Sequence, residues 1–135
     1  MYRKLIFAWL LVVLLTTISA NAQQAEWFGF PAYPGARELC TQSVLGQQGE
    51  EILWHSYATK DKPSQVIAFY VKDNGRNKDT QGQAEQNGDM LTLRHEDTVL
   101  SVHVAGGDYP QCGHKPHTAE RTVIVVSRKT DRGRR

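Results

Sequence analysis

Tyr57-Ala-Thr-Lys-Asp-Lys-Pro-Ser-Gln-Val-Ile-Ala-Phe-Tyr-Val-Lys72 reads as the end of a strand, a corner and a helix in one uninterrupted stretch. Into it runs Glu50 to Thr59, which alternates Ile52, Trp54, Ser56 and Ala58 with Leu53, His55, Tyr57 and Thr59. That period of two is the pattern of a strand, and large residues on both faces place it well inside a sheet. Asp61 or Lys62 caps the helix; Asp61 is the better chemical match, because its carboxylate can accept from free amides of the first turn. Pro63 follows where a helix tolerates proline. Val66, Ile67, Tyr70 and Val71 fall on one side, Phe69 widens the stripe, and Asp73-Asn-Gly75 supplies a stop. A helix of about three turns is marginal alone, so its apolar side has to lie on the sheet.

Outward from this corner the remaining elements follow. Upstream, Ala36 to Leu45 reads as a strand with Leu39, Thr41, Ser43 and Leu45 on one face, joined through Gly46-Gln-Gln-Gly49 to the next strand as a hairpin. Downstream, Arg76 to Asp89 has almost no apolar content and reads as a polar connector. Met90 to Leu93 and Thr98 to Val104 pair about the turn His95-Glu96-Asp97. Ala105 to Ala119 is a loop punctuated by Gly and Pro. Thr122 to Ser127 is the most apolar strand, expected to be central and buried on both faces. The order is ββαβββ: an α+β fold with a curved antiparallel sheet of about five strands and one helix packed on a face.

The N-terminal residues belong to targeting rather than to this fold. Met1-Tyr-Arg-Lys4 is basic, Leu5 to Ile18 carries no charge, and Ala20-Asn21-Ala22 is an A-x-A cleavage site. The apolar run is short of the roughly 20 residues that span a bilayer. Residues 1–22 are therefore expected to be a signal peptide, leaving residues 23–135 as a single domain with a basic C-terminal tail. No Cys follows the site, so no stable membrane anchor is expected after cleavage. The protein is expected to be exported, periplasmic or secreted. Loss of Arg3 and Lys4 leaves as many basic residues as the 14 acidic ones. A balanced charge without a basic stripe interleaved with aromatics argues against nucleic acid as a partner. Arg128, Lys129, Arg132, Arg134 and Arg135 crowd the tail, which suits a solvated terminus, with a phosphate-rich surface as the alternative. The two cysteines, Cys40 and Cys112, are expected to form one disulfide in an oxidising compartment.

One pattern runs across these elements: Tyr33-Pro-Gly-Ala36, then Tyr57-x-Thr59-x-Asp61, then Val66-x-x-Phe69-Tyr70. In it the chain resembles small exported bacterial proteins of uncharacterised function that place a Y-P-G-A segment before a Y-x-T-x-D…V-x-x-F-Y corner. The resemblance implies a fold and a location; it implies no activity. Lys62 stands where a small capping residue is more usual.

Several residues are candidates for function. The arm from Gln23 to Gly35 carries Trp27, Phe28, Phe30 and Tyr33 among turn formers, and it either packs across the domain or presents an aromatic surface to a sugar or peptide. Trp27, Phe28 and Phe30, together with His103 on a strand, are a possible ligand or partner surface. In Asp108-Tyr-Pro-Gln-Cys112-Gly-His114-Lys-Pro-His117, a disulfide at Cys112 leaves Asp108, His114 and His117 as candidate zinc or copper ligands, against a plain loop with incidental histidines. His55 and His103 lie in strands, but no G-x-S-x-G and no recognisable pair of carboxylates accompanies them. Gln42-Ser-Val-Leu-Gly46 matches the Q-x-V-x-G loop of cystatin-type inhibitors, yet it precedes the helix instead of following it, and the Pro-Trp loop of that family is missing. The expectation is a non-enzymatic binding or interaction module, without a cofactor, for a protein or small-molecule partner. The alternative is a metal-binding protein or metalloenzyme using His114 and His117.

Overall fold

The computed structural model describes residues 26–76 and 83–131. The expected signal peptide, part of the polar connector and the last four residues of the basic tail lie outside them. The chain gives β1 (Glu26–Trp27), β2 (Phe30–Pro31), β3 (Arg37–Leu45), β4 (Glu51–Thr59), α1 (Pro63–Arg76), β5 (Gln83–Asn87), β6 (Met90–His95), β7 (Thr98–Val104) and β8 (Thr122–Thr130). β3 to β8 form one antiparallel sheet in the order β3-β4-β8-β7-β6-β5, and β1 pairs with β2 in a separate hairpin. The architecture is α+β, a mostly antiparallel sheet with one helix.

The strand count and order differ from the expected ββαβββ, for two local reasons. β5 lies in the polar connector; it is an edge strand whose described side chains are all exposed, so it needs no apolar alternation to form. β1 and β2 lie in the aromatic arm, where a two-residue turn reverses the chain with Phe28 (φ 51°) and Gly29 (φ 92°) both left-handed. Both central residues of the tightest hairpin turns need positive φ, and Asn-Gly is the usual pair. A phenylalanine there costs about 1 kcal/mol or more of backbone strain, which hides the turn from a sequence reading.

The helix and its corner also differ in detail. The carbonyl of Lys62 accepts from Val66 N at 3.2 Å, and Gln65 Oε1 accepts from the Lys62 amide at 3.0 Å. Lys62 is thus the cap, with Gln65 closing half of a capping box. Asp61 does not cap; its carboxylate accepts the hydroxyl of Tyr33 at 2.5 Å, and its carbonyl accepts Thr122 Oγ1 at 2.6 Å. The helix passes through the expected stop at Asp73-Asn-Gly75 to Arg76. Glycine weakens a helix by about 1 kcal/mol relative to alanine but does not have to end it. Val71, expected on the buried stripe, is largely exposed.

The sheet buries both of its faces. On one, α1 and the β1–β2 arm cover Leu91, Leu93, Leu100, Val102, Ile124 and Val126, with Val66, Ile67 and Tyr70 coming from the helix. On the other, the segment after β7 returns across the sheet so that Tyr109 packs with Leu39, Ala58, Val123 and Val125. β8 is central, and Thr122 to Val126 are all buried. A β-bulge between Glu38 and Cys40 sends Leu39 to this second face, while Thr41 opposes His55 on the first. The face shared by Leu39 and Thr41 in a regular strand is therefore split, as the extra residue of a bulge requires. Cys40 and Cys112 form a disulfide with Cα atoms 6.1 Å apart, joining β3 to the returning segment. No helix among the described residues is long and apolar enough to cross a membrane.

Candidate functional site

Three segments distant in sequence meet at the corner between β4 and α1. The Tyr33-Pro-Gly-Ala36 turn comes from below, Thr59 to Asp61 form the corner, and His117 to Glu120 close the loop before β8. Between them lies a cleft of about 510 Å³ lined by Pro34, Gly35, Arg37, Thr59, Lys60, Asp61, His117 and Glu120, with Ala58 at its floor. Gly35 holds φ +74°, the left-handed conformation that lets the chain turn there without a side-chain penalty.

Glu120 is the fixed centre of this corner. It is 7% exposed, a state carboxylates adopt when paired. Its Oε1 accepts Arg37 Nη2 at 2.6 Å and the His117 amide at 2.7 Å, and its Oε2 accepts Arg37 Nε at 3.2 Å. The Arg37 fork holds the Glu120 carboxyl below its usual range, overcoming the upward push of burial, and the His117 amide adds to the lowering. Asp61 is engaged in turn by Tyr33, whose phenol is pushed up to about 12, first by burial and then by donating to that carboxylate. The Tyr-Pro-Gly-Ala segment and the Tyr-x-Thr-x-Asp corner are thus in direct contact.

The residues singled out in the sequence go to different places. Asp108, His114 and His117 are exposed, and among the described residues no three His, Cys, Asp or Glu side chains converge as a metal-binding group. Phe30 is buried in the main core. Trp27 stacks on Tyr57 with ring centroids 3.7 Å apart, and Phe28 sets its edge against His55 beneath Arg128. Trp27 and Phe28 are only partly covered. Thr41 Oγ1 donates its one hydrogen to Glu38 and accepts from His55 Nδ1 at 2.9 Å.

His103 is buried beneath Tyr109, with Nε2 2.8 Å from Ser101 Oγ and Nδ1 buried without a hydrogen-bond partner. No described cleft reaches the Ser101–His103 pair. Burial lowers the His103 pKa, and the charge of Asp108 opposes that only in part. The folded protein therefore binds fewer protons here than the unfolded chain, whose histidine titrates near 6.5. Stability is full above that pH and declines as pH falls through it. Glu120, with its carboxyl held below the ordinary 4.5, contributes stability that is present above that value and lost on further acidification. Urea titrations across pH should accordingly fall in two stages. His103→Phe is expected to flatten the stage near 6.5 and Glu120→Gln the acid stage. An unchanged profile in His103→Phe would mean that the first stage belongs to another group.

Arg37 and Glu120 escaped the sequence reading because their 83-residue separation leaves no local pattern. Lys60 stands at an unspecified position of the Tyr57-x-Thr59-x-Asp61 pattern. Compared with protein-family models, with curated proteins and with solved structures, the chain matches none.

Proposed function

We propose that this is an exported, non-enzymatic binding module whose recognition site is the cleft at the β4–α1 corner. The observation that carries the reading is the convergence of three distant segments on one cleft, with an internally satisfied Arg37–Glu120 pair as its rigid wall. Pre-formed clefts of some 300–1,000 Å³ with a few placed polar groups are the usual form of a small-molecule site. A catalytic reading has less support: the Thr59 hydroxyl in this cleft accepts from the Asp61 amide and makes no hydrogen bond to a base among the described residues, and Ser101–His103 is reached by none of the described clefts. Export rests on the basic-apolar-small sequence of residues 1–22 together with the disulfide. It predicts that the mature protein begins at Gln23, which N-terminal sequencing of the exported protein tests.

Binding is tested by thermal shift of the disulfide-bonded protein against a collection of small polar metabolites. A ligand at 100 times its Kd stabilises the folded state by about 2.7 kcal/mol. Ligands of this site should raise the melting temperature of the native protein and lose that effect in Lys60→Trp, whose indole fills the cleft mouth. Hydrolytic turnover abolished by His103→Ala or His55→Ala would instead make the protein an enzyme.

A further inference from the structure

Resting on that reading of the cleft, we propose that its ligand is a small oxyanion, a carboxylate or a phosphate. The argument is one of leftover hydrogen-bonding capacity. Both carboxylates in the cleft are already engaged: Asp61 accepts from Tyr33, and Glu120 accepts the Arg37 fork and the His117 amide. Donors are left over beside them. The fork uses Nε and one Nη2 hydrogen of Arg37, leaving the Nη1 pair and the second Nη2 hydrogen, since a guanidinium has no acceptor and only N–H groups to offer. Lys60 is exposed and its ammonium has no partner among the described residues; the imidazole of His117 lines the same cleft, where its charge acts on Glu120. The cleft thus presents spare N–H donors on Arg37 and Lys60 beside two carboxylates that each already hold a donor. An oxyanion satisfies those spare donors through charge-assisted hydrogen bonds. Lys62 and Arg121 line the adjoining cleft, with Asp89 opposing them, and add to the positive approach.

Arg37 serves two ends at once in this arrangement. Its fork to Glu120 fixes the guanidinium plane, so the remaining edge is held in place before any ligand arrives. That is the condition under which a charged donor loses little freedom on binding.

The test follows backbone amides of the disulfide-bonded, ¹⁵N-labelled protein by NMR in low-salt buffer. Four probes are titrated: inorganic phosphate, succinate, the neutral isostere succinamide, and 1,4-diaminobutane. Phosphate or succinate should move the amides of Gly35, Lys60 and His117, and succinamide and the diamine should not. A response to phosphate alone identifies a tetrahedral anion, and a response to succinate a planar carboxylate. Lys60→Gln, which touches nothing structural, should weaken the anion about tenfold, the loss of one charged hydrogen bond. Raising the salt should weaken it further through screening. Succinamide or diaminobutane moving those amides while the anions do not would overturn the anion inference and leave the binding reading standing. Anion shifts confined to the Arg128–Lys129 end would overturn it as well. Silence from all four probes at millimolar concentration would take the cleft reading down with it.

Discussion

Replacing Cys40 and Cys112 together by alanine is expected to lower the free energy of unfolding by about 4 kcal/mol, the chain-entropy value for a closed loop of this length. The bond joins residues 72 apart in sequence, so nearly all of β3, β4, α1, β5, β6 and β7 lie within the loop. For a domain whose net stability is on the order of 5–15 kcal/mol, this is a large fraction. The consequence should also be local. The segment from Ala105 to Arg121 is closed at its neck by the Ala105 amide donating to the Arg121 carbonyl and the Arg121 amide donating to Thr59, both at 2.9 Å. It is held at its base by Glu120 on Arg37, and along its length by Cys112 and the packing of Tyr109. With the disulfide gone, Tyr109 relies on its packing with Leu39, Ala58, Val123 and Val125 to stay over His103. The histidine should then be more often hydrated and titrate closer to 6.5, which an NMR titration of its ring protons reads alongside urea unfolding. A loss below about 1 kcal/mol with an unshifted histidine would show that the neck and Glu120 hold the segment without help.

How much of this was legible in the sequence depends on which interactions are local. β4, β7 and β8 announce themselves because alternation and uninterrupted apolar runs report burial residue by residue. The start of α1 is legible because Pro63 fits one position of a helix and hardly any other. The cap was misread for a non-local reason: Asp61 has the better capping chemistry, but Tyr33, 28 residues upstream, claims its carboxylate and leaves the task to the Lys62 backbone and Gln65. β5 was invisible because Gln83-Ala-Glu-Gln-Asn87 gains its order from pairing with β6, and its described side chains are exposed. The bulge at Leu39 moved an apolar residue across the sheet, which a strict period of two cannot express.

The candidate cleft sits at the far end of the same scale. Thr59 and Asp61 stood out as polar corner residues, and His117 as a loop histidine, but nothing local ties either to Arg37, Lys60 or Glu120. Their meeting depends on β8 lying between β4 and β7, a consequence of sheet order and not of spacing. The aromatic arm shows the intermediate case. Its rings were expected either to pack or to face a ligand. Phe30 is buried while Trp27 and Phe28 remain partly open over Tyr57 and His55.

Tyr70→Ala is expected to cost about 3–5 kcal/mol, the range for deleting a large buried ring. The side chain has no exposed surface and ties three things together. Its ring meets Phe69 edge-on at 5.0 Å, it tilts against Tyr33 at 6.4 Å, and its hydroxyl donates to the Pro31 carbonyl at 2.9 Å. Burial pushes its phenol well above the ordinary 10, so the hydroxyl remains a donor throughout the stable pH range. Deleting the ring removes both the helix's largest buried side chain and the bond that holds the β1–β2 arm. Tyr70→Phe separates these effects: it keeps the ring and leaves the Pro31 carbonyl without its donor, for an expected cost of about 1–2 kcal/mol. Urea unfolding measures the two costs, and limited chymotrypsin digestion reports the arm, through cleavage after Trp27 and Phe28. Tyr70→Ala should accelerate that cleavage strongly, and Tyr70→Phe only modestly. Equal costs in the two variants would assign the anchoring to the hydrogen bond alone. Because Tyr33 leads on to Gly35 and the cleft, a released arm should also weaken any cleft ligand. That coupling would tie the aromatic arm, the helix and the Tyr-Pro-Gly-Ala turn into one mechanical unit.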